Sequence, residues 1–470
     1  MISLKECLFP GISFLLLCNH LEESLSSQII IENAQVIENP LHPELKPDFG
    51  IVITDDLITQ VGPIHELDSN YPDASRINAR GLFVLPGLID AHTHMYSALT
   101  SCMPLHGTPP QIFHEVLSQL WWKFDKVLLE EEDIAISTLI GSIASLKSGI
   151  TTVIDHHSSP NFISNSLDVI AKNFSDCGLR SCLAYETSDR DGPGICDAAI
   201  NENVRFIKSI KSDDKTMLQG LFGLHAVYSL SDSTLRKCAS LSKELDAGFH
   251  MHMAEHNKEV EQFSQTHKQS IPEFLSKIGI LGPKTILAHT VHINSDDIDI
   301  LKETKTNNVH NPHSNMSNGV GTAPIIEMIN SGQPVGLGSD GFYDLPYEMM
   351  YAKLLQTMKY GNPSAFSDQM TLSLVYDHNV QIAEKIFGCR LGRIAQGYKA
   401  DLLFIEYDPF TPINKSNLSS HILSALVSGH IRNVLINGKF VVKDGSVSGI
   451  DEEKIKHQSI KVANRIWKRM

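Results

Sequence analysis

The pattern of apolar and polar positions changes character along the chain. From about residue 27 to 81 it reads as short β-strands: Ile29–Ile31 and Ala34–Ile37 on either side of the turn-forming pair Glu32-Asn33, then Gly50–Thr54 and Leu57–Val61 as a hairpin about Asp55-Asp56. The same texture returns at Ala400–Ile405 and at Ile431–Val442, the latter interrupted by Asn437-Gly438, a strong hairpin signal. Between these ends, strand-like runs alternate with helix-like spacing, the signature of a parallel α/β fold. The apolar run Leu82–Ile89 comes first, followed by Thr151–Asp155, Arg180–Tyr185, Leu221–Leu224, Ala247–His252, Thr285–Ala288, Asn308–Val309 and Pro334–Gly338. Stretches such as Ile134–Leu146 between them have helical periodicity. Eight strands with intervening helices predict a (β/α)8 TIM barrel. The two β-rich ends can pair into one small β-sandwich, and periodicity leaves two separate β-modules open as the alternative. The expected division is an N-terminal extension (1–26), the first part of the sandwich (27–84), the barrel (85–394), the second part of the sandwich (395–447) and a C-terminal helix (448–470).

Composition narrows the class. The 470 residues suit a large barrel with an added module, and 42% hydrophobic with 20% charged residues fits a globular protein. Lys plus Arg is 39 against 54 Asp plus Glu, a net charge of -15, with no basic run, which argues against a nucleic-acid partner. The cysteines are scattered with no Cys-x-x-Cys, unlike a zinc ribbon or a disulfide framework, and suit a reducing, cytoplasmic location. Leu8–Cys18 is mostly apolar, but it is too short to span a bilayer and no small-x-small cleavage site follows. It can be read as a short signal peptide with a weak positive region, since Glu6 offsets Lys5, or as part of a loosely held extension, and no membrane partner is expected.

Chemistry gathers at the predicted strand ends, where barrel enzymes place their active sites. The first ends in His92 and His94, the second in Asp155-His156-His157, the third in Glu186 and the fourth in His225. The fifth gives His250, His252 and Glu255, the sixth His289, the seventh His310 and His313, and the eighth Asp340. One histidine at one strand end is ordinarily a satisfied core or loop residue; histidines or acids after all eight are not explained that way. Residues i and i+2 of a strand share a face, so His92 and His94 can reach one ion. Three neutral imidazoles and a carboxylate leave a position open for water, whose pKa the metal lowers to supply hydroxide. His92, His94, His252 and Asp340 make that set. Glu255, past the strand end, can carry the proton to a leaving group, His289 can hold the hydroxide or polarise the substrate, and Asp340 can also accept a proton from the attacking water.

Pro86–His94, His252-Met253-Ala254-Glu255, Ala288-His289 and Gly338-Ser339-Asp340-Gly341 resemble the amidohydrolase superfamily, and within it the cytosine deaminase-like and chlorohydrolase-like branch. Leu120–Asp125, Val153–Pro160, Glu186–Arg190 and Val309–Asn318 further resemble the SsnA-type aminohydrolases of that branch. The resemblance implies a distorted (β/α)8 barrel, a β-sandwich built from both chain ends and one divalent ion, zinc preferred to iron. In this branch the metal histidine precedes the acid by three residues, which selects His252 over His250. The bridging lysine of two-metal relatives has no counterpart at Gly223-Leu224-His225. His225 takes the substrate-contacting role of a histidine at its place in related deaminases. The resemblance alone suggests a homodimer.

The expected activity is metal-dependent hydrolysis of a non-peptide C–N bond, as deamination of a small purine- or pyrimidine-like heterocycle. Ring opening of a cyclic amide and an inactive scaffold are the alternatives. Arg190 can bind a substrate carboxylate or carbonyl, or pair with Asp189 or Asp191 in its loop. Trp121 and Trp122 can stack on a flat substrate or anchor a helix. His156, His157 and His313 can line the pocket or pack behind it. Lys399-Ala400-Asp401 is read as a structural re-entry into the sandwich.

Overall fold

The turn chemistry of the chain ends sets up two sheets. In the computed structural model, which describes residues 28–105, 107–210 and 217–470, Asn437 and Gly438 take φ of 50° and 73°. These left-handed values let His430–Ile436 fold back antiparallel on Lys439–Lys443. Asp55, at φ 55°, does the same between Phe49–Thr54 and Leu57–Pro63. One sheet runs Leu57–Pro63, Phe49–Thr54, Gln28–Glu32, Ser75–Asn78. The other runs Ser446–Val447, Lys439–Lys443, His430–Ile436, Leu402–Glu406, Phe83–Pro86, Gln35–Val36. Both chain ends therefore contribute to the second sheet, with Leu85 opposite Leu403. Ile31, Ile51, Ile53, Val84, Leu402, Phe404 and Leu435 form one buried apolar cluster drawn from both sheets. Gln28–Glu32 and Gln35–Val36 do not pair with each other; Asn33, at φ 53°, turns the chain from one sheet to the other. The extension 1–26, with its apolar Leu8–Cys18, lies outside the described residues.

The barrel strands are Leu88–Thr93, Ile150–His157, Arg180–Tyr185, Leu218–Leu224, Phe249–Met253, Ile286–His289, Asn307–His310 and Val335–Leu337, paired in parallel. The fourth departs from expectation. It is broken at Leu221, so Leu218–Gly220 pairs with the third strand and Phe222–Leu224 with the fifth. The ring closes where Asp340 N donates to the His92 carbonyl (3.0 Å) and His94 N to the Asp340 carbonyl (2.9 Å). The single run Leu82–Ile89 is also two strands, Phe83–Pro86 in the sandwich and Leu88–Thr93 in the barrel. Gly87 separates them because a Cβ there would lie 2.3 Å from Thr151 Oγ1. Inside the ring pack Ile89, Ala91, Ile154, Cys182, Ala184, Ile286 and Val309. Arg180 forms a buried ion pair with Asp401 that ties the third barrel strand to the re-entry segment. The C-terminal helix Glu452–Trp467 packs on Glu131–Lys147, with Arg465 Nη2 2.6 Å from the buried Asp133. Among the described residues no helix is long and apolar enough to cross a membrane.

Candidate active site

The histidines of the first and fifth strands meet at the mouth of the barrel. His92 is the last but one residue of its strand and His94 lies just beyond it, their ring centroids 4.8 Å apart. His94 donates Nδ1–H to the His156 carbonyl (2.6 Å) and His252 donates Nδ1–H to the His225 carbonyl (3.0 Å). With both Nδ1–H groups so committed, the two Nε2 atoms face each other at 3.1 Å. His92 Nε2 is buried with no hydrogen-bond partner, while its Nδ1 lies 2.8 Å from His250 Nε2. Asp340 Oδ1 is 3.2 Å from His94 Nε2 and 3.8 Å from His92 Nε2. Burial, then the neighbouring histidines, lower the pKa values of His92 and His252 and keep them neutral. For His94 burial works the same way, but the Asp340 and Glu186 carboxylates outweigh it and raise its pKa. The facing Nε2 atoms of His94 and His252, the orphaned Nε2 of His92 and the Asp340 carboxylate within 4 Å of His92 and His94 are donors of the kind that hold a divalent cation, and His92, His94 and Asp340 lie close enough together to share one.

The acids reach this cluster through backbone turns that ordinary residues resist. Ala254 has φ 50°, which swings Glu255 off the end of the fifth strand and into the pocket. Glu259, one helical turn on, accepts the Glu255 N–H at 3.2 Å and fixes that turn. Asp340 itself sits at φ 56° and His289 at φ 74°. Strained backbone of this kind persists only where surrounding contacts hold it, and it collects at functional sites. His289 donates Nδ1–H to Asn315 Oδ1 (2.9 Å), leaving Nε2 3.8 Å from Glu255 and 3.9 Å from Asp340. Burial first, then the Asp340 charge, push the Glu255 carboxyl up to about 8.

A second wall of the pocket is built from residues the sequence reading did not place together. Arg190 does not pair with its loop neighbours: Asp189 accepts from Ser231 and Thr234, and Asp191 pairs with Lys126. Instead Arg190 Nη2 donates to Glu186 (2.9 Å) and Asp125 (3.3 Å), and Nε donates to Ser188 Oγ (3.0 Å). Its guanidinium carbon lies 5.0 Å from the Trp122 ring centroid. His225 Nδ1 bonds Ser229 Oγ (2.6 Å), and its Nε2 is 3.9 Å from Glu186. Trp121, Trp122, Asp125, Glu186, Arg190, His225 and His313 all line the same cleft as His94, His252, Glu255, His289 and Asp340. His156 and His157 are buried behind it. Asp125 was missed because it lies on the helical segment after the first strand. That segment's π-helical turn, Leu117–Trp121, obscures the apolar periodicity.

The chain resembles known proteins over most of its length. The model of the amidohydrolase family matches residues 83–441. A 5-methylthioadenosine/S-adenosylhomocysteine deaminase of Pelotomaculum thermopropionicum is 28% identical over 452 residues, covering 94% of this chain and 100% of its own. A 5'-deoxyadenosine deaminase of Methanosarcina mazei is 27% identical over 453 residues, covering 94% and 99%. Among solved structures, a zinc-bound adenosine deaminase of Xanthomonas campestris shares the fold with a TM-score of 0.80 at 22% identity, covering 93% of this chain and 98% of its own. A zinc complex of atrazine chlorohydrolase from Arthrobacter aurescens TC1 does so at 0.78 and 21%, covering 93% and 100%. With most of its length matched by the family model and its relatives aligned nearly end to end, the chain belongs to the amidohydrolase family and is a metal-dependent hydrolase of carbon–nitrogen bonds.

Proposed function

We propose that the protein hydrolytically deaminates a small nitrogen heterocycle, using one divalent ion, zinc in preference to iron, held by His92, His94, His252 and Asp340. The observation that carries this is the pair of facing Nε2 atoms of His94 and His252, 3.1 Å apart, beside the orphaned Nε2 of His92 and the Asp340 carboxylate. A bound divalent ion supplies Lewis acidity, lowering the pKa of a water towards neutrality. His250 accepts the Nδ1 proton of His92, which directs the Nε2 lone pair of His92 into the cluster. Asp340 accepts a proton from the nucleophilic water. Glu255 then delivers a proton to the leaving nitrogen, because an amine leaves poorly unless protonated. Burial raises its pKa, which favours the protonated carboxyl that a general acid requires. His289, its tautomer set by Asn315, stands 3.8 Å from Glu255 and 3.9 Å from Asp340, where it holds the nucleophilic water or polarises the substrate. His225 and Arg190 hold the substrate across the cleft. The free cysteines 102, 177, 182, 196, 238 and 389 fit action in the cytoplasm.

The names of the relatives point to purine nucleosides, so the test is a screen of purines, pyrimidines, pterins, their oxidised forms and their nucleosides. Ammonia and ultraviolet absorbance are followed in parallel on zinc-loaded protein. Stoichiometric ammonia supports deamination. A retained nitrogen with loss of ring absorbance replaces it with ring opening, and silence from every compound counts against both.

A further inference from the structure

The helix Leu345–Tyr360, which follows the eighth barrel strand, turns an apolar stripe to solvent. Tyr347 is 44% exposed, Leu354 54% and Met358 80%, with the part-buried Tyr351 between them. Steps of four, three and four residues are those of a coiled-coil seam, so all four side chains share one face. Tyr360 ends the same helix exposed, and Met316 is exposed on Pro312–Ser317, which packs beside it. Apolar residues scattered singly are ordinary on a protein surface; a contiguous patch marks a docking face. Its charge suits a second copy of the chain. The one acid of this helix, Glu348, is buried, so on a chain of net charge -15 the face is spared the like-charge repulsion that opposes self-association.

The two ends of the stripe also complement each other. At the N-terminal end, Pro346, Tyr347, Leu426 and Val427 line a hollow of about 380 Å³, which Lys147 and Arg432 make basic. At the C-terminal end Met358 projects furthest into solvent, and beside it the exposed Glu327 accepts from the Tyr360 hydroxyl. Tyr347 and Met358 are about 17 Å apart along the helix axis. A two-fold axis between Tyr351 and Leu354 runs this helix antiparallel to its own copy. It sets each Met358 over the other copy's hollow and each Glu327 near the other copy's Lys147 and Arg432. Antiparallel packing also brings opposite ends of the two helix dipoles together. Knob and hole on one surface, related this way, are what a closed two-fold contact requires.

We propose that this face is an interface between two copies of the chain, paired through Leu345–Tyr360 with Met358 of each seated in the hollow of the other. The proposal is independent of the deaminase reading above. Methionine and tyrosine suit the role, since one adapts its shape to a partner and the other buries much area at little entropic cost.

The test is sedimentation velocity of the full-length chain over a range of about 0.1 to 100 µM, where an interface of micromolar or better Kd is read directly. A species of twice the 52.1 kDa chain is expected. Met358→Glu charges the knob, Leu354→Glu the middle of the stripe and Val427→Glu the hollow. All three positions are at least partly exposed, so the fold tolerates the charge, which circular dichroism checks. Each is expected to weaken association at least about 100-fold. Leu57→Glu, which charges an exposed apolar residue of the sandwich hairpin, is expected to leave it unchanged. A chain that stays monomeric throughout the range overturns the proposal and leaves the face to a different partner. A dimer that survives all three substitutions, or that Leu57→Glu dissociates equally, overturns it as well. A dimer broken by Met358→Glu and Leu354→Glu but untouched by Val427→Glu overturns the seating of Met358 in the hollow.

Discussion

Gly338 is where a single methyl group would disturb the site most directly. A Cβ there would lie 2.5 Å from Asn311 Oδ1 and 2.7 Å from the His92 carbonyl. Gly338→Ala is therefore expected to push the eighth strand away from the first, separating Asp340 from His92 and His94, and to weaken zinc binding by about 10–100-fold in a chelator competition. His92→Ala should lose the ion and the activity together, with elemental analysis falling from one zinc per chain to background. Glu255→Gln should keep its zinc while turnover falls by roughly 10²–10⁴-fold; a variant that loses the metal would make Glu255 a support of the ligand shell. At this scale the sequence was most legible where chemistry follows strand register. His92, His94, His252 and Asp340 sit at strand ends, and the three-residue step to Glu255 matches a chain that turns at Ala254. The partners of Arg190 were not legible. Asp125 is 65 residues distant in sequence, and the nearer acids Asp189 and Asp191 are taken by Ser231, Thr234 and Lys126.

Among the elements, the C-terminal helix depends on one buried carboxylate. Asp133 is fully buried and accepts from Arg465 (2.6 Å) and Arg469 (2.7 Å), and from the Leu129 and Glu130 amides at the start of Glu131–Lys147. Burial opposes its ionisation, but the two arginine hydrogen bonds outweigh it and hold its pKa below the ordinary value of 3.8. A depressed carboxylate pKa contributes stability above the unfolded value and loses it as the pH falls through the folded one. This contribution should therefore be complete at pH 7, begin to fall at about pH 4 and be lost only once the pH drops through the lower folded value. Asp133→Asn should lower stability by about 1.5–3 kcal/mol at pH 7 in urea unfolding, and by less as the pH approaches 3. The helix was foreseeable from its alternating charged and apolar positions, and the hairpin at Asn437-Gly438 from its turn residues. The break in the fourth barrel strand was not, because Leu218–Leu224 changes partners at Leu221 without changing its apolar character.

For the whole molecule, an ion that binds only the folded chain adds stability in proportion to the logarithm of its excess over Kd. At a thousandfold excess this is about 4 kcal/mol. For a chain of this size that corresponds to roughly 4 °C in Tm. Scanning calorimetry with and without dipicolinate should show a fall of that order, and no fall for His92→Ala. The division into barrel and sandwich was legible because strand texture brackets an alternating middle. What pairs with what across the ends was not, since periodicity carries no information about distant partners. Phe83–Pro86 lies in its sheet between Gln35–Val36 and Leu402–Glu406. On the ribosome it emerges about three hundred residues before Leu402–Glu406 is made. At 5–20 residues per second that strand waits roughly 15–60 s with one apolar edge unpaired. The nascent chain thus presents a sticky edge for longer than most domains take to fold, a natural point of engagement for a chaperone during synthesis.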